Sequence, residues 1–507
     1  MLDVDSPATV DQLAGVRFRF AVKALEWLVC LTAWAFLLLY AVIAIRRVSY
    51  PFDLEWMEGA MVDHVGRIVA GKSIYTAPSV SFVPFFYSPF YYYVSAAVSF
   101  VTGVGLLPLR LVSIASSVAS FWLIYLFVVK ETGSRYAGLI AAGMFAATYR
   151  ISGAWFDLAR VDSLFLLLFL SSVFTLYSHD STRSWVLAGV LMALAALTKQ
   201  TALMMAVPIA VYMAIVNWRH AMVGAAAFAA VYGLTTLALN VWTQGWYLAY
   251  TVKMPMAVQS SGASLLSVPS FRVITRDVLG AMPIAGAIGV ASLFVWSPLF
   301  SRATMFYLLL AGRMISSPWK MRLIQSSHDN VKIPAHACFA ILMALAAYHL
   351  PRLAPGIGER LRIFIALLCM IQFALLAYDP WAHLPPSRNV ELHERLMERI
   401  EQSDGEVYLA EHGFFPTLRG KPSHAHVWAV SDVLRSNDAD AGARLVEEFR
   451  QAFEQQRFRL IITDGPLVPP LQADLDQWYR RAPEVGIEGP QTLTGKITHP
   501  AFAYVPR

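Results

Sequence analysis

Between Ala24 and Ala377 the chain is a succession of apolar runs of helix length separated by short polar or basic loops. This alternation restricts the fold more than any motif, because a backbone in hydrocarbon must satisfy its own hydrogen bonds and does so as packed helices. With 57% hydrophobic and 15% charged residues, against about 25% charged in an ordinary soluble domain, the composition is that of a polytopic membrane protein. The first run, Ala24 to Ile45, follows a mixed tail and is long enough to span, so it reads as a membrane helix and not as a cleavable signal peptide. The formal net charge of +6 raises nucleic acid as a partner, but no basic stretch is interleaved with stacking aromatics. Cys30, Cys338 and Cys369 all lie in apolar runs and read as small core residues, outside any disulfide frame or zinc site.

Arg17, Arg19 and Lys23 favour a cytoplasmic N-terminus, although Arg46 and Arg47 at the far end of the first run count the other way. The segment Pro84 to Val104, with Pro89 and a cluster of aromatics, suits an interface-lying or re-entrant piece better than a clean span. On that count Lys130 and Arg135, the NWRH stretch, and the loop carrying Arg352, Arg360 and Arg362 all fall on the cytoplasmic side. The expectation is a mainly α protein: a helical bundle of about eleven spans with juxtamembrane helices over residues 1–378. Residues 379–507 form an α/β extramembrane domain on the outer side, with helices at Asn389–Gln402 and Asp440–Gln456 and strands at Glu406–Ala410 and Phe458–Thr463.

The stretch Tyr50 to Tyr75 follows the first span and places Asp53, Glu55, Glu58 and Asp63 at the membrane surface. Helical phasing gathers Met57, Met61, Val65 and Ile68 into an apolar stripe, which predicts an amphipathic helix lying on lipid with Glu58 at the margin of the stripe. The carboxylates are then either a solvated cap or reactive groups held near the membrane plane. Asp53, ahead of the helix, is freer than Glu55 to turn into a cavity.

Three more polar clusters recur at outer span ends. In DLARVDSLF, Asp162 is either a helix cap or a group that binds a divalent cation or orients a substrate, while Arg160 suits bidentate pairing with phosphate. In ALTKQTAL, Lys199 and Gln200 interrupt two apolar runs, and the lysine either snorkels to headgroups or meets a phosphate. In QSSHDNVKIPAH, His328, Asp329 and Asn330 cluster before a span, where a polar capping loop is the other reading. His412, His424 and His426 have spacing too weak to define a metal site and read as loop histidines.

The acidic first loop, the G-K-x-x-Y ending at Tyr75, the Tyr87-x-Pro89 turn, ARVD before a span, LTKQT between spans and the outer HDN, taken in order, resemble a GT-C fold glycosyltransferase. The resemblance covers nearly the whole chain. It implies a sugar donor carried on a polyprenyl phosphate, a glycan, lipid or protein acceptor, surrounding membrane lipids and no nucleic acid. It also implies a multi-pass protein of the cell inner (plasma) membrane whose C-terminal domain is periplasmic or extracellular. A first-loop carboxylate, Asp53 or Glu55, would act as base, with direct displacement inverting the sugar. Many members carry adjacent acidic residues there, whereas Leu54 separates the two in this chain, so the choice stays open. Substrate contacts would come from Glu58, Tyr87, Arg160, Lys199, Gln200, His328, Asp329 and Asn330, and Asp162 would take a divalent cation, Mg or Mn. The sugar arrives activated on lipid, so no nucleotide-binding motif is needed, and none is present. The competing reading is a transporter or flippase of a lipid-linked sugar, against which stand the concentration of polar residues at one face and the lack of an internal repeat. A structural or assembly protein would leave the recurring clusters unexplained.

Overall fold

The computed structural model describes residues 7–259, 271–296, 301–322, 328–354, 356–436 and 438–507. Eight helices run through the first half: α1 (Pro7–Val48), α2 (Glu58–Val69), α3 (Phe90–Thr102), α4 (Leu106–Thr132), α5 (Arg135–Ala147), α6 (Asp162–Ser178), α7 (Thr182–Thr198) and α8 (Thr201–Phe228). Among the described residues four helical segments are long and apolar enough to cross a membrane: Phe18–Val48, Leu106–Thr132, Thr201–Trp242 and Asp329–Leu353. The pair Val273–Leu279 and Pro283–Val295, bent by 99°, makes a fifth if counted as one span. About eleven spans were expected; two of them, α6 and α7, are apolar but have only 17 residues each, and the two expected on either side of NWRH fall in the one segment Thr201–Trp242. At 1.5 Å per residue a helix needs about 20 residues to cross a hydrocarbon core of about 30 Å. α5 is shorter still and is enclosed, packing against α1, α4 and the helix Ile333–Leu353.

The break expected at NWRH is present inside α8, where Asn217 leaves helical geometry at φ −158°, ψ 89°. The apolar run ending at Val241 predicts a long outer loop from Trp242 to about Arg276, but the stretch is mostly helical as far as Gln259. The rest of that loop, residues 260–270, and residues 323–327 ahead of His328 lie outside the described residues.

α2 forms where the phasing places it, but its stripe meets protein and not lipid. Met61 and Val65 are fully buried and Met57 nearly so. The Tyr92 hydroxyl of α3 points at Met61 Sδ, and Phe414 of the C-terminal segment closes over Gly59. A period of apolar residues identifies the buried face and says nothing about what buries it. α2 ends at Gly71, whose φ of +70° lets the Gly71 and Lys72 amides turn back to the Ile68 and Arg67 carbonyls. That turn delivers Tyr75, whose hydroxyl donates to the Tyr87 carbonyl at 2.7 Å, so the G-K-x-x-Y pattern fixes the aromatic turn.

The C-terminal part carries a four-stranded mixed sheet in the order β1-β2-β4-β3, from β1 (Glu406–Leu409), β2 (Phe458–Thr463), β3 (Tyr479–Arg481) and β4 (Phe502–Pro506). β1 and β2 are parallel, joined by a crossover containing the helices Val427–Arg435 and Ala439–Glu454, while β4 runs antiparallel to both β2 and β3. This domain clasps the first loop. The Leu493 and Thr494 amides donate to the Leu54 carbonyl, the Ala425 amide to Val80, and His426 Nε2 meets the Trp56 carbonyl at 3.0 Å. At Gly495 this segment packs directly on the first loop: a Cβ there would collide with the Trp56 indole.

Candidate active site

Asp53, Glu55 and Glu58 lie within six positions of one another and are all buried, yet each has a different partner. Glu58 faces Arg110 of α4. The Arg110 guanidinium donates from Nε and Nη2 to the Glu58 carboxylate at 3.1 and 2.7 Å, and its remaining N–H groups go to the carbonyls of Arg47, Tyr50 and Phe52. The amides of Leu54 and Ala159 complete the carboxylate at 2.7 and 2.6 Å. Burial alone would raise the Glu58 pKa, but Arg110 and these hydrogen bonds outweigh it and hold the group below its ordinary value. Every donor is matched, so Glu58, read from the sequence as a substrate contact, instead ties the first loop to α4 and to the loop before α6.

Asp53 does not turn into a cavity, as its place ahead of α2 suggested. Its Oδ2 is 2.6 Å from His412 Nδ1, and His412 Nε2 is 3.2 Å from Asp464 Oδ2. Burial opposes a charged imidazole, but Asp464 and Asp53 outweigh it and raise the His412 pKa well above the ordinary value. Both ring nitrogens then donate, and an imidazolium bridges the first loop to the sheet domain. His412 is therefore a fastening group and no loose loop histidine.

Glu55 pairs with Arg160, whose Nη1 is 3.1 Å from both carboxylate oxygens. Arg160 Nη2 donates to the Tyr87 hydroxyl at 2.7 Å, and its guanidinium lies 5.4 Å from the Tyr87 ring and 5.5 Å from that of Trp155. Arg160 Nε is buried with no hydrogen-bond partner. Desolvation dominates at Glu55 and pushes its pKa up to about 8 in spite of Arg160.

Arg160 opens onto a cavity of about 440 Å³. Tyr87, Lys199, Gln200, His328 and Asn330 line it together with Trp56 and Trp155, and Leu203, Met204, Val252, Pro255, Met256 and Val258 supply an apolar lining. Lys199 stands at the extended residue between α7 and α8, and its Nζ donates to Asp162 Oδ1 at 2.5 Å. Asn330 Nδ2 donates to the same oxygen at 3.1 Å, while Asp162 Oδ2 is buried without a hydrogen-bond partner. Gln200 donates to the Phe86 carbonyl at 2.6 Å. Asp329 pairs with Lys332 at 3.1 Å and does not line this cavity. The surroundings of Asp162 do not fit a divalent cation. An ammonium already faces the carboxylate, and among the described residues no three His, Cys, Asp or Glu side chains converge.

The fold thus gathers Tyr87, Arg160, Lys199, Gln200, His328 and Asn330 around one cavity, puts Glu55 and Asp162 directly behind its cations, and sends Asp53, Glu58 and Asp329 elsewhere. Sequence reasoning missed Asp432 on the helix Val427–Arg435, which lines the cavity from the C-terminal domain and whose pKa burial raises to about 6. It also missed Arg110, although a lone arginine inside an apolar run is itself a signal.

Comparison with known proteins defines the class. The whole chain is similar in structure to ArnT from Cupriavidus metallidurans in the apo state, with a TM-score of 0.59, 13% identity, and 95% of this chain and 98% of that chain covered. The same enzyme bound to undecaprenyl phosphate gives a TM-score of 0.58 at 13% identity over 94% and 97% of the two chains. The archaeal oligosaccharyltransferase AglB from Archaeoglobus fulgidus, in complex with an inhibitory peptide and a dolichol-phosphate, gives 0.51 at 12% identity over 85% and 69%. The protein has the GT-C fold of the membrane glycosyltransferases, as the motif order implied. Within it, residues 84–247 match the family described as dolichyl-phosphate-mannose-protein mannosyltransferase. No curated protein sequence matches the chain significantly.

Proposed function

We propose that the protein is an integral-membrane glycosyltransferase that moves a hexosyl or pentosyl group from a polyprenyl-phosphate donor to an acceptor on the outer face of the membrane. The observation that carries this reading is the mixed lining of the cavity: Arg160 and Lys199 suit a phosphate, and the apolar side chains Leu203, Met204, Val252, Pro255, Met256 and Val258 suit the first isoprene units of a lipid. The undecaprenyl phosphate bound by ArnT and the family match over residues 84–247 agree with it. Glu55 is the general base. It takes the proton of an acceptor hydroxyl, the acceptor oxygen bonds to the anomeric carbon, and the carbon–oxygen bond to phosphate breaks with its electron pair leaving on polyprenyl phosphate. The configuration inverts. A phosphate arriving at Arg160 competes with Glu55 for one guanidinium, so donor binding weakens the ion pair and leaves the carboxylate a stronger base. Asp53, held by His412, maintains the loop.

The test is a proteoliposome assay with polyprenyl-phosphate sugar labelled in the sugar, supplemented with cell-envelope glycans and lipids. Label should appear on an acceptor with stoichiometric free polyprenyl phosphate. Label that crosses the bilayer still attached to lipid would establish a transporter instead.

A further inference from the structure

The C-terminal domain holds a second cavity, of about 390 Å³, on the other side of the helix Val427–Arg435. Ser431 lines this cavity and its neighbour Asp432 lines the donor cavity, so consecutive residues of one helix border the two. The second cavity is built from polar groups that the fold leaves unmatched. Asp464 Oδ1 is buried without a hydrogen-bond partner on a side chain that is 4% exposed, although its other oxygen holds His412. Trp428 Nε1 is also buried and unpartnered, and the Thr498 hydroxyl lies beside the Asp464 carboxylate. Lys496 lies with its ammonium 4.2 Å from the Trp428 ring centre, and Glu411 accepts the Asp464 amide at 3.1 Å. Unmatched buried polar atoms are costly, and a native fold keeps them where a ligand completes them.

The mixture of groups selects the ligand. Two carboxyls disfavour an anion, and Lys496 disfavours a cation. A hydrophobe would leave the indole N–H and the free carboxylate oxygen of Asp464 unsatisfied. A wall that mixes acceptors with donors is completed by a ligand whose every polar group does both, which is a hydroxyl. The volume lies near the lower end of small-ligand sites, about 300 to 1,000 Å³.

We infer that this cavity binds a neutral sugar ring, with Asp464 Oδ1 accepting from its hydroxyls and Trp428 Nε1 and Lys496 donating to them. Resting on the glycosyltransferase reading, the inference makes the acceptor a glycan whose penultimate or branching residue sits beside the helix Val427–Arg435 while its reacting hydroxyl reaches the donor cavity.

The experiment is a calorimetric titration of the full-length protein in detergent with the methyl glycosides of glucose, galactose, mannose, N-acetylglucosamine and arabinose, with no lipid donor present. At least one should bind saturably with a Kd of about 1 mM. Trp428→Phe, which keeps the ring and removes the N–H, should weaken it about 2- to 10-fold, as should Lys496→Met. Neither residue belongs to the His412 bridge, so a loss is not a loss of docking. Absence of binding by all five glycosides, equal affinity in both variants, or saturable binding of ethylamine in place of a glycoside would overturn the inference. Sugar binding in a protein that fails the transfer assay would keep this site and remove the enzyme reading instead.

Discussion

Glu55 and Glu58 are one helical turn apart, both fully buried and both paired with an arginine, yet the fold treats them in opposite ways. Glu58 sits in a cage where the arginine donors are matched and two backbone amides complete the carboxylate, and its pKa falls. Glu55 shares one guanidinium nitrogen and one amide, Arg160 keeps an unmatched Nε beside a cavity, and its pKa rises to about 8. Burial and charge pairing therefore do not separate structure from function here. Saturation does: a filled hydrogen-bond inventory has nothing left to offer a ligand, and an unfilled one has.

The sharpest way to break this comparison is Glu55→Gln. With saturating donor it should lower turnover about 100- to 10,000-fold while leaving donor binding near normal. The base works only when deprotonated, so turnover of the native protein should climb with pH and level off above about 8. A pH-independent rate in purified protein, or a larger loss in Asp53→Asn than in Glu55→Gln, would move the base away from Glu55.

Arg110→Ala tests the other half. Removing one partner of a buried ion pair leaves an uncompensated charge and costs about 3 to 5 kcal/mol. The expected readout is a large drop in thermal midpoint in detergent, with loss of activity following the loss of fold. A variant that unfolds normally yet fails in transfer would show that Glu58 and Arg110 act in the chemistry.

The sequence made one side of this comparison visible and hid the other. Arg160, Lys199 and Asn330 stand out because charged or amide groups at the ends of apolar runs are conspicuous, and the fold does bring them together. The strands β1 and β2 are legible as apolar runs bounded by Gly405 and by the turn at Arg457, whereas β3 and β4, three and five residues long, carry too little pattern. Whether a carboxylate is saturated was not legible at all. The groups that fill Glu58 come from residues 47 to 159, and the His412 that holds Asp53 is 359 positions away. For the same reason the stripe of α2 was assigned to lipid: Tyr92 of α3, which meets Met61, is 31 positions away.

Arg160→Ala and Lys199→Ala are smaller perturbations at the cavity. On the proposed function each removes a charge-assisted hydrogen bond to the donor phosphate, so donor affinity should fall about 10- to 100-fold; each also leaves a buried carboxylate without its cation, so affinity is measured on the fraction whose thermal unfolding shows it folded. Arg160→Ala carries a second signature. Arg160 lowers the Glu55 pKa, so without it the rise of rate with pH should shift to higher pH, whereas Lys199→Ala should leave the profile in place. Normal donor binding in both variants would return the two cations to a structural role.

The smallest effect should come from Asp63→Asn, which asks whether a raised pKa alone marks a reacting group. Asp63 matches Glu55 in that respect, since desolvation lifts it to about 8 as well. It differs in place: it lies eight residues further on, within α2 and beside Gly413 of the C-terminal domain, is partly exposed, and borders neither Arg160 nor the donor cavity. At neutral pH it is largely protonated, and an amide reproduces its size and much of its hydrogen bonding to Ser423. Turnover should therefore change by less than about 3-fold, below what loss of a general base produces. Stability should respond more than turnover. A carboxyl whose folded pKa exceeds its ordinary value of 3.8 binds more protons when folded, so its contribution is present at low pH and is lost as pH rises through about 8. The asparagine variant lacks that loss, and its thermal midpoint relative to the native protein should rise between pH 6 and about 9. A turnover defect as deep as that of Glu55→Gln, with the fold intact, would mean that desolvation and not access to the Arg160 cavity selects the reacting carboxylate.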